Sequence, residues 1–147
     1  MSDSTGNTVL ITGAGRRIGR TIALDLAACG WAVAVHYNTS AEAAAAVVDE
    51  IVVAGGRASM GAADLADEAQ SQALISRASD GLGPITCLIN NASVFGEDTT
   101  QTATRGSWDL HMEVNMRAPF VLTQTFARQM PQSRTGNVIN IVDQRVW

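Results

Sequence analysis

Residues 9–19 read VLITGAGRRIG, in which a short apolar run passes directly into a turn of small residues. An apolar strand followed by such a turn and then by an amphipathic helix is how a nucleotide-binding α/β domain begins. Glycine lets the backbone turn tightly and approach a pyrophosphate, whose charge is favourable at a helix N-terminus. The spacing differs from the common G-x-G-x-x-G fingerprint, because position 18 is Ile and the last glycine is Gly19.

The composition is that of a globular domain. The chain has 147 residues, of which 46% are hydrophobic and 16% charged, enough for a single domain (1–147) with a core. A net charge of −4 with 10 Lys and Arg offers no basic surface for nucleic acid. No apolar run approaches the roughly 18 residues of a membrane span, and the polar N-terminus lacks the pattern of a signal peptide. We therefore expect a cytoplasmic protein with no nucleic-acid or membrane partner.

The two cysteines, Cys29 and Cys87, lie in apolar contexts. Buried free thiols are expected at such positions, and no second cluster of ligands indicates a metal site.

Short apolar runs alternate with longer amphipathic ones along the chain, which predicts βαβ units and a parallel sheet. Right-handed crossovers give the strand order 3-2-1-4-5, a doubly wound α/β sheet of the Rossmann type that breaks off after the fifth strand. Ligands bind at the switch point of such a sheet, between strands 1 and 4. The predicted strands are 8–12, 31–36, 57–62, 85–89 and 137–142, and the predicted helices are 17–29, 40–54, 67–80 and 105–130.

Turn residues agree with these elements. Gly30, Gly55 and the segment 81–84 follow the first three helices, where a left-handed residue ends a helix. Ser40 is placed to cap the second helix. The polar segment 91–104 is predicted to be a loop after the fourth strand.

A second motif, Asn90-Asn91-Ala92-Ser93, is expected at the same sheet edge as the glycine-rich turn. Together the two motifs resemble the short-chain dehydrogenases/reductases, which carry a T-G-x-x-x-G-x-G turn and an N-N-A-G turn. Arg17 replaces the middle glycine and Ser93 the last one, as in the pteridine reductase branch of that family. The resemblance covers essentially the whole chain.

The residues after the second strand favour NADP(H) over NAD(H). An NAD site usually places an acid there to bind the ribose hydroxyls, and no acid occurs between Gly30 and Ala41. With Arg16 and Arg17 nearby, a 2′-phosphate meets guanidinium groups instead of a repelling carboxylate. The alternative is that either arginine is a solvated helix residue.

The resemblance implies a cofactor site that extends along the whole sheet edge. Asp64 is expected at the adenine edge, or alternatively as the N-cap of the third helix. The predicted cofactor-binding residues are Gly13, Gly15, Arg16, Arg17, Ile18, Gly19, His36, Tyr37, Asn38, Ser40, Asp64, Leu65, Asn91, Ala92 and Ser93.

For substrate, the resemblance implies contacts from Phe95, Ser93 and Arg17. Phe95 is expected to stack a flat substrate ring against the nicotinamide, although it alternatively packs on its neighbours. His111 is interpreted as a surface or helix-packing residue and not as a base.

For proton transfer, the resemblance points to Asn115 and Asp143. Asn115 matches an Asn that the family associates with a helix kink and a water-linked proton relay, and Pro119 supplies a separate cause for a bend. Asp143 stands where most members carry a catalytic Ser. The alternatives are a satisfied polar core residue for Asn115 and a structural cap for Asp143.

The family's Tyr-x-x-x-Lys pair has no counterpart before Trp147, and Tyr37 lies on the second strand. We therefore expect the N-terminal part of a longer reductase, a homo-oligomer (tetramer or dimer) in its full-length form. The expected activity is NADP(H)-dependent hydride transfer to a small, pteridine-like substrate. The alternatives are a 3-oxoacyl or carbonyl reductase of the same family and, in another class, a catalytically inactive nucleotide-binding fragment.

Overall fold

The fold is given by a computed structural model that describes residues 6–143. Its five parallel strands form one sheet in the order β3-β2-β1-β4-β5, which confirms the predicted topology. The connections between adjacent parallel strands run through helices, as a doubly wound sheet requires. The strands are β1 (Thr8–Ile11), β2 (Ala32–Tyr37), β3 (Arg57–Ala62), β4 (Cys87–Asn90) and β5 (Asn137–Asn140).

The helices agree with the prediction except for the last. The predicted single helix over 105–130 is wrong, because a π-helical turn, Glu113–Arg117, divides it into two. Pro119, in the first turn of the second piece, has no backbone N–H, so the α-helical ladder is interrupted near it. The helices are α1 (Arg17–Ala28), α2 (Ala41–Val53), α3 (Glu68–Leu82), α4 (Arg105–Met112) and α5 (Ala118–Gln129).

Helices cover both faces of the sheet, and the side-chain alternation of the strands assigns each face. Val9 and Ile11 of β1 pack in a cluster with residues of α1 and α2. Leu10, between them, packs on the other face in a cluster with residues of α3 and α5. The sheet is therefore the middle layer of three, which explains why its inner strands are apolar on both faces.

Both ends of α3 differ in detail from the prediction. Asp67, and not Asp64, caps α3, because its carboxylate accepts the backbone N–H groups of Ala69 and Gln70. Asp64 instead accepts from the N–H of Ala66 in a local turn. The same helix continues through Gly81 and ends at Gly83, whose φ of +91° is the left-handed stop.

Two further expectations are wrong in detail. Ser40 is the N-cap residue of α2, but its side chain makes no capping hydrogen bond, and its backbone carbonyl accepts from Ala44 instead. Cys87 is buried as expected, and burial raises the pKa of its thiol, whereas Cys29 is exposed. None of the helices in residues 6–143 is long and apolar enough to cross a bilayer.

We predict that Leu122→Ala destabilises the fold by about 2–5 kcal/mol, since the Leu122 side chain is fully buried between α5 and the sheet. Val53→Ala, at an 88% exposed position, serves as the control and changes the free energy of unfolding by less than about 0.5 kcal/mol. Urea denaturation measures both, and equal losses would contradict the assigned core.

Candidate functional site

A cleft of about 740 Å³ opens at the carboxyl ends of β1, β2 and β4, which is where a doubly wound sheet binds its ligands. Its walls are the glycine-rich turn, the ends of β2 and β3, the segment after β4, α4 with the π turn, and the residues after β5. The cleft is lined by Gly13, Arg16, Arg17, Ile18, His36, Asn38, Asp64, Leu65, Asn91, Ala92, Ser93, Val94, Leu110, Val114, Ile141, Val142 and Asp143.

The glycine-rich turn is packed too closely to hold larger residues. Gly13 has a φ of +65°, the left-handed region that favours glycine. A Cβ at Gly19 would overlap the carbonyl oxygen of Gly13 and lie 2.6 Å from Nδ2 of Asn91. Helix α1 therefore packs closely against the turn, and its first residues, Arg17 and Ile18, line the cleft. A helix N-terminus is a favourable place for an anion.

Arg17 occupies a left-handed backbone conformation, with φ +50°, and is the only non-glycine residue in 6–143 to have a positive φ. For a residue with a Cβ this conformation costs about 1–2 kcal/mol. Arg16, beside it, has an extended φ of −147°. Both arginines are exposed, and neither guanidinium pairs with a carboxylate in the described part of the chain. The cleft thus carries two positive charges on the turn.

The hydroxyl of Thr12 joins the turn to the segment after β4. Thr12 is buried, and its Oγ1 accepts the backbone N–H groups of Asn91 and Ala92, each at 2.9 Å. In return, Nδ2 of Asn91 donates to the carbonyl oxygens of Thr12 at 3.0 Å and Gly13 at 3.2 Å. The two motifs that the sequence placed at one edge are therefore one hydrogen-bonded unit.

His36 lies under the turn and forms part of the cleft wall. Its side chain is buried, with Nδ1 accepting the N–H of Gly13 at 3.0 Å and Nε2 donating to the carbonyl of Ala63 at 2.9 Å. Burial is the main cause that lowers the pKa of His36, and the positive charge of Arg77 lowers it further. The imidazole is therefore neutral at neutral pH.

Two helix side chains hold the segment after β4. Asn115, in the π turn, accepts the N–H of Val94 at Oδ1 and donates to the carbonyl of Val94 from Nδ2, both at 2.9 Å. His111, on α4, accepts the N–H of Gly96 at Nε2 at 2.9 Å. Phe95 lies between these anchored residues, is 72% exposed and does not line the cleft.

An ion pair fixes the π turn against α3. Both Nε and Nη2 of Arg117 lie 2.9 Å from the carboxylate oxygens of Glu68, in a two-point contact. The Arg117 guanidinium lowers the pKa of Glu68, chiefly through this hydrogen bond. Because both side chains are about 40% exposed, the pair orients the turn more than it stabilises the fold.

The structure brings twelve of the predicted site residues to the cleft wall and leaves six away from it. Gly15 packs against α2, Gly19 lies beneath the turn, and Asn115 reaches the site through Val94. Tyr37, Ser40 and Phe95 are also absent from the wall. The twelve are Gly13, Arg16, Arg17, Ile18, His36, Asn38, Asp64, Leu65, Asn91, Ala92, Ser93 and Asp143.

Sequence analysis missed several residues of the site. The sequence pattern indicates Thr12 only as part of the turn, although a hydroxyl at the end of a strand can accept unpaired N–H groups. Leu110 and Val114 are four residues apart, the spacing that places them on one helix face. The others are Val94, Ile141 and Val142. No group of three or more His, Cys, Asp or Glu side chains within residues 6–143 is arranged to hold a metal ion.

Residues 7–144 match the family model described as short chain dehydrogenase. The chain is 36% identical over 134 residues to the 3-oxoacyl-[acyl-carrier-protein] reductase FabG of Staphylococcus aureus, covering 91% of this chain and 54% of that protein. The chain therefore spans about half the length of this curated relative.

Solved structures of similar fold include the FolM alternative dihydrofolate reductase 1 of Brucella canis, complexed with NADP. Its TM-score is 0.93 at 40% identity, over 97% of this chain and 57% of that one. A short chain dehydrogenase of Burkholderia cenocepacia, also in complex with NADP, has a TM-score of 0.86 at 36% identity, over 92% of this chain and 54% of that one. The fold of the described residues is thus that of NADP-bound enzymes.

We predict that Thr12→Val lowers the free energy of unfolding by about 1–3 kcal/mol, because the N–H groups of Asn91 and Ala92 lose their acceptor. Thr12→Ser keeps the hydroxyl and is the matched control. Chemical denaturation gives the stability, and amide hydrogen exchange at positions 91 and 92 reports the lost bonds. No loss of stability in Thr12→Val, or a loss no greater than that of Thr12→Ser, would contradict the role assigned to the hydroxyl.

Proposed function

Because the chain belongs to the short-chain dehydrogenase family, we propose that the protein is an NADP(H)-dependent reductase acting on a small, flat, pteridine-like substrate. The chain spans about half of its relatives' length, so the proposal concerns the part of the reaction that these residues perform. That part is the binding and orientation of the cofactor and one wall of the substrate site.

The observation that carries the proposal is the pair of arginines on the glycine-rich turn. Arg16 and Arg17 line the cleft without a carboxylate partner in residues 6–143, and segment 37–40 after β2 holds no acid. A 2′-phosphate there is attracted by two guanidinium groups and meets the amide of Asn38. The strained backbone of Arg17 supports this assignment, since strain persists at sites where a side chain has a function.

The remaining cleft residues fit the other parts of a dinucleotide. The turn at Gly13 and Gly19 lets the start of α1 approach a pyrophosphate. Asp64 and Leu65 line the wall beside β3, where the adenine would bind, and Asn91, Ala92 and Ser93 line the part where the ribose and nicotinamide would bind. When bound, NADPH supplies the hydride. We propose supporting roles around these contacts for Gly15, Ile18, His36, Tyr37 and Ser40.

Phe95 is the proposed platform for the substrate, together with Ser93 and Arg17. The backbone on both sides of Phe95 is anchored, by Asn115 at Val94 and by His111 at Gly96. An anchored loop presents an exposed ring in a defined position at little entropic cost, which suits stacking with a flat heterocycle. The FolM dihydrofolate reductase of Brucella canis supports this substrate class by similarity.

Asp143 and Asn115 are the proposed participants in proton transfer. Asp143 lines the cleft three residues after the end of β5, where we propose that the substrate would meet the cofactor. Asn115 holds Val94 with both its amide oxygen and its amide nitrogen, so its direct effect is on the position of the segment after β4 that carries Phe95.

A 3-oxoacyl thioester is the second candidate substrate, favoured by the similarity to the FabG reductase of Staphylococcus aureus. Both candidates share the cofactor chemistry and differ in the shape of the substrate. Substitution of Phe95 therefore distinguishes between them.

We predict that Arg17→Gly weakens NADPH binding about tenfold to a hundredfold while leaving NADH binding nearly unchanged, because a charge-assisted bond to the 2′-phosphate contributes about 1.5–3 kcal/mol. The same variant relieves the left-handed strain of about 1–2 kcal/mol, which offsets the 0.5–1 kcal/mol entropic cost of glycine. Its free energy of unfolding is therefore unchanged or slightly higher. Fluorescence titration and thermal denaturation measure the two effects.

Arg16→Gly is the matched control for the stability effect, because Arg16 has an extended backbone with no left-handed strain to relieve. It removes the same charge and lowers stability slightly. If Arg17→Gly weakened NADPH and NADH equally, Arg17 would serve the pyrophosphate, and if it weakened neither, the cofactor assignment would be wrong.

We predict that Phe95→Ala raises KM for a dihydropteridine about threefold to tenfold, the size of an aromatic pair, without changing the Kd of NADPH. Trp108→Ala, which removes an exposed aromatic side chain from α4, is the control and leaves KM unchanged. Steady-state kinetics decide the matter. A KM that rises for an acetoacetyl thioester and not for the pteridine would favour the second substrate class.

A further inference from the structure

β2 reads AVAVHY, so His36 follows a run of buried apolar residues and is itself only 2% exposed. A buried imidazole needs partners for both ring nitrogens, and the structure supplies one donor and one acceptor. The N–H of Gly13 lies 3.0 Å from Nδ1, which must therefore carry no proton. The carbonyl of Ala63 lies 2.9 Å from Nε2, which must therefore carry one. The protein selects one tautomer of the neutral ring.

The backbone of His36 acts on the same turn. Its carbonyl accepts the N–H of Ala14 at 3.0 Å. Residue 36 thus holds two successive amides of the glycine-rich turn, Gly13 through the side chain and Ala14 through the main chain. Because Gly13 has a left-handed φ and packs against Ala92, the turn's shape depends on both bonds.

We propose that His36 is a positioning residue for the phosphate-binding turn: its neutral imidazole holds the N–H of Gly13, and the bond to Ala63 holds the ring in the tautomer that makes this possible. The inference rests on the proposed function for its consequence, which is the affinity for a dinucleotide phosphate. Its structural part, the tie between the turn and β2 that the hydrogen bond from Gly13 to His36 forms, does not depend on any ligand.

Protonation removes the acceptor that Gly13 needs, so the tie depends on pH. The charged groups on neighbouring elements are Arg77 of α3, which donates to the carbonyl of Ala62, together with Arg16, Arg17 and Asp64 on the cleft wall. Burial and Arg77 keep the pKa of His36 below its ordinary value in the folded protein. The unfolded chain therefore binds the proton first, and the contribution of His36 to stability, present at neutral pH, is lost as the pH falls.

Two substitutions separate the two ring nitrogens. In His36→Asn the amide oxygen can occupy the place of Nδ1 and keep the bond to Gly13. In His36→Gln the amide nitrogen reaches the place of Nε2 and keeps the bond to Ala63, while Gly13 loses its acceptor. We expect His36→Gln to raise the Kd of NADPH about tenfold and His36→Asn to raise it less than about threefold. Equal affinities of His36→Gln and the unsubstituted protein, or a weaker His36→Asn, would overturn the proposal.

Nuclear magnetic resonance of the unsubstituted protein tests the tie without a ligand or a variant. Two-bond proton–nitrogen correlations are expected to show the Nε2–H tautomer of His36 at neutral pH. On acidification, the amide signal of Gly13 is expected to shift with the midpoint of the His36 titration. An Nδ1–H tautomer, or a Gly13 amide indifferent to that titration, would overturn the proposal even if both variants failed to fold. Failure of the unsubstituted protein to bind NADPH, with the expected spectra, would instead overturn the proposed function alone.

Discussion

Parallel strands that end at one edge of a sheet leave backbone N–H groups for which no neighbouring strand provides a carbonyl, and such groups need another acceptor where water is excluded. At the ends of β1 and β4 the N–H groups of Gly13, Asn91 and Ala92 are accepted by side chains, the imidazole of His36 and the hydroxyl of Thr12. The Thr12 bonds hold the segment after β4 against the turn, and the His36 bond holds the turn against β2. The cleft has its shape because of them, and every contact proposed for a cofactor depends on that shape.

Arg17 shows how the fold and the site make opposite demands. The turn requires a left-handed residue, for which glycine is the natural choice, and an anionic ligand favours a guanidinium at the same place. The chain keeps the charge and accepts a strained φ of +50°. A conflict between local preference and global structure is expected mainly where function requires it.

The sequence was sufficient for the topology, because apolar runs, glycine stops and the crossover rule all depend on local patterns. The sequence also predicted most of the residues that line the cleft, because the carboxyl ends of parallel strands lie at the same edge of the sheet. It was insufficient where the outcome depends on partners distant in sequence. Asp64 and Asp67 are the same residue type, three positions apart. In the structure Asp67 is the cap, because its carboxylate accepts the N–H groups of Ala69 and Gln70. The two bonds of His36 are likewise invisible without the neighbouring turn and strand.

The π turn also explains a regularity in the helices on either side of it. Leu110, Val114, Ala118, Leu122 and Phe126 recur at a strict interval of four residues. Four residues of an α-helix rotate by about 40° more than one full turn, so four such steps would carry the row about 160° around the axis. The wider turn over Glu113–Arg117, closed by bonds between residues five apart, rotates less per residue and recovers part of that drift. One apolar row can thus line the cleft at Leu110 and enter the core at Leu122 and Phe126. The π turn thus adjusts the rotation of α5 relative to α4, so that α4 presents the row to the cleft and α5 presents it to the core.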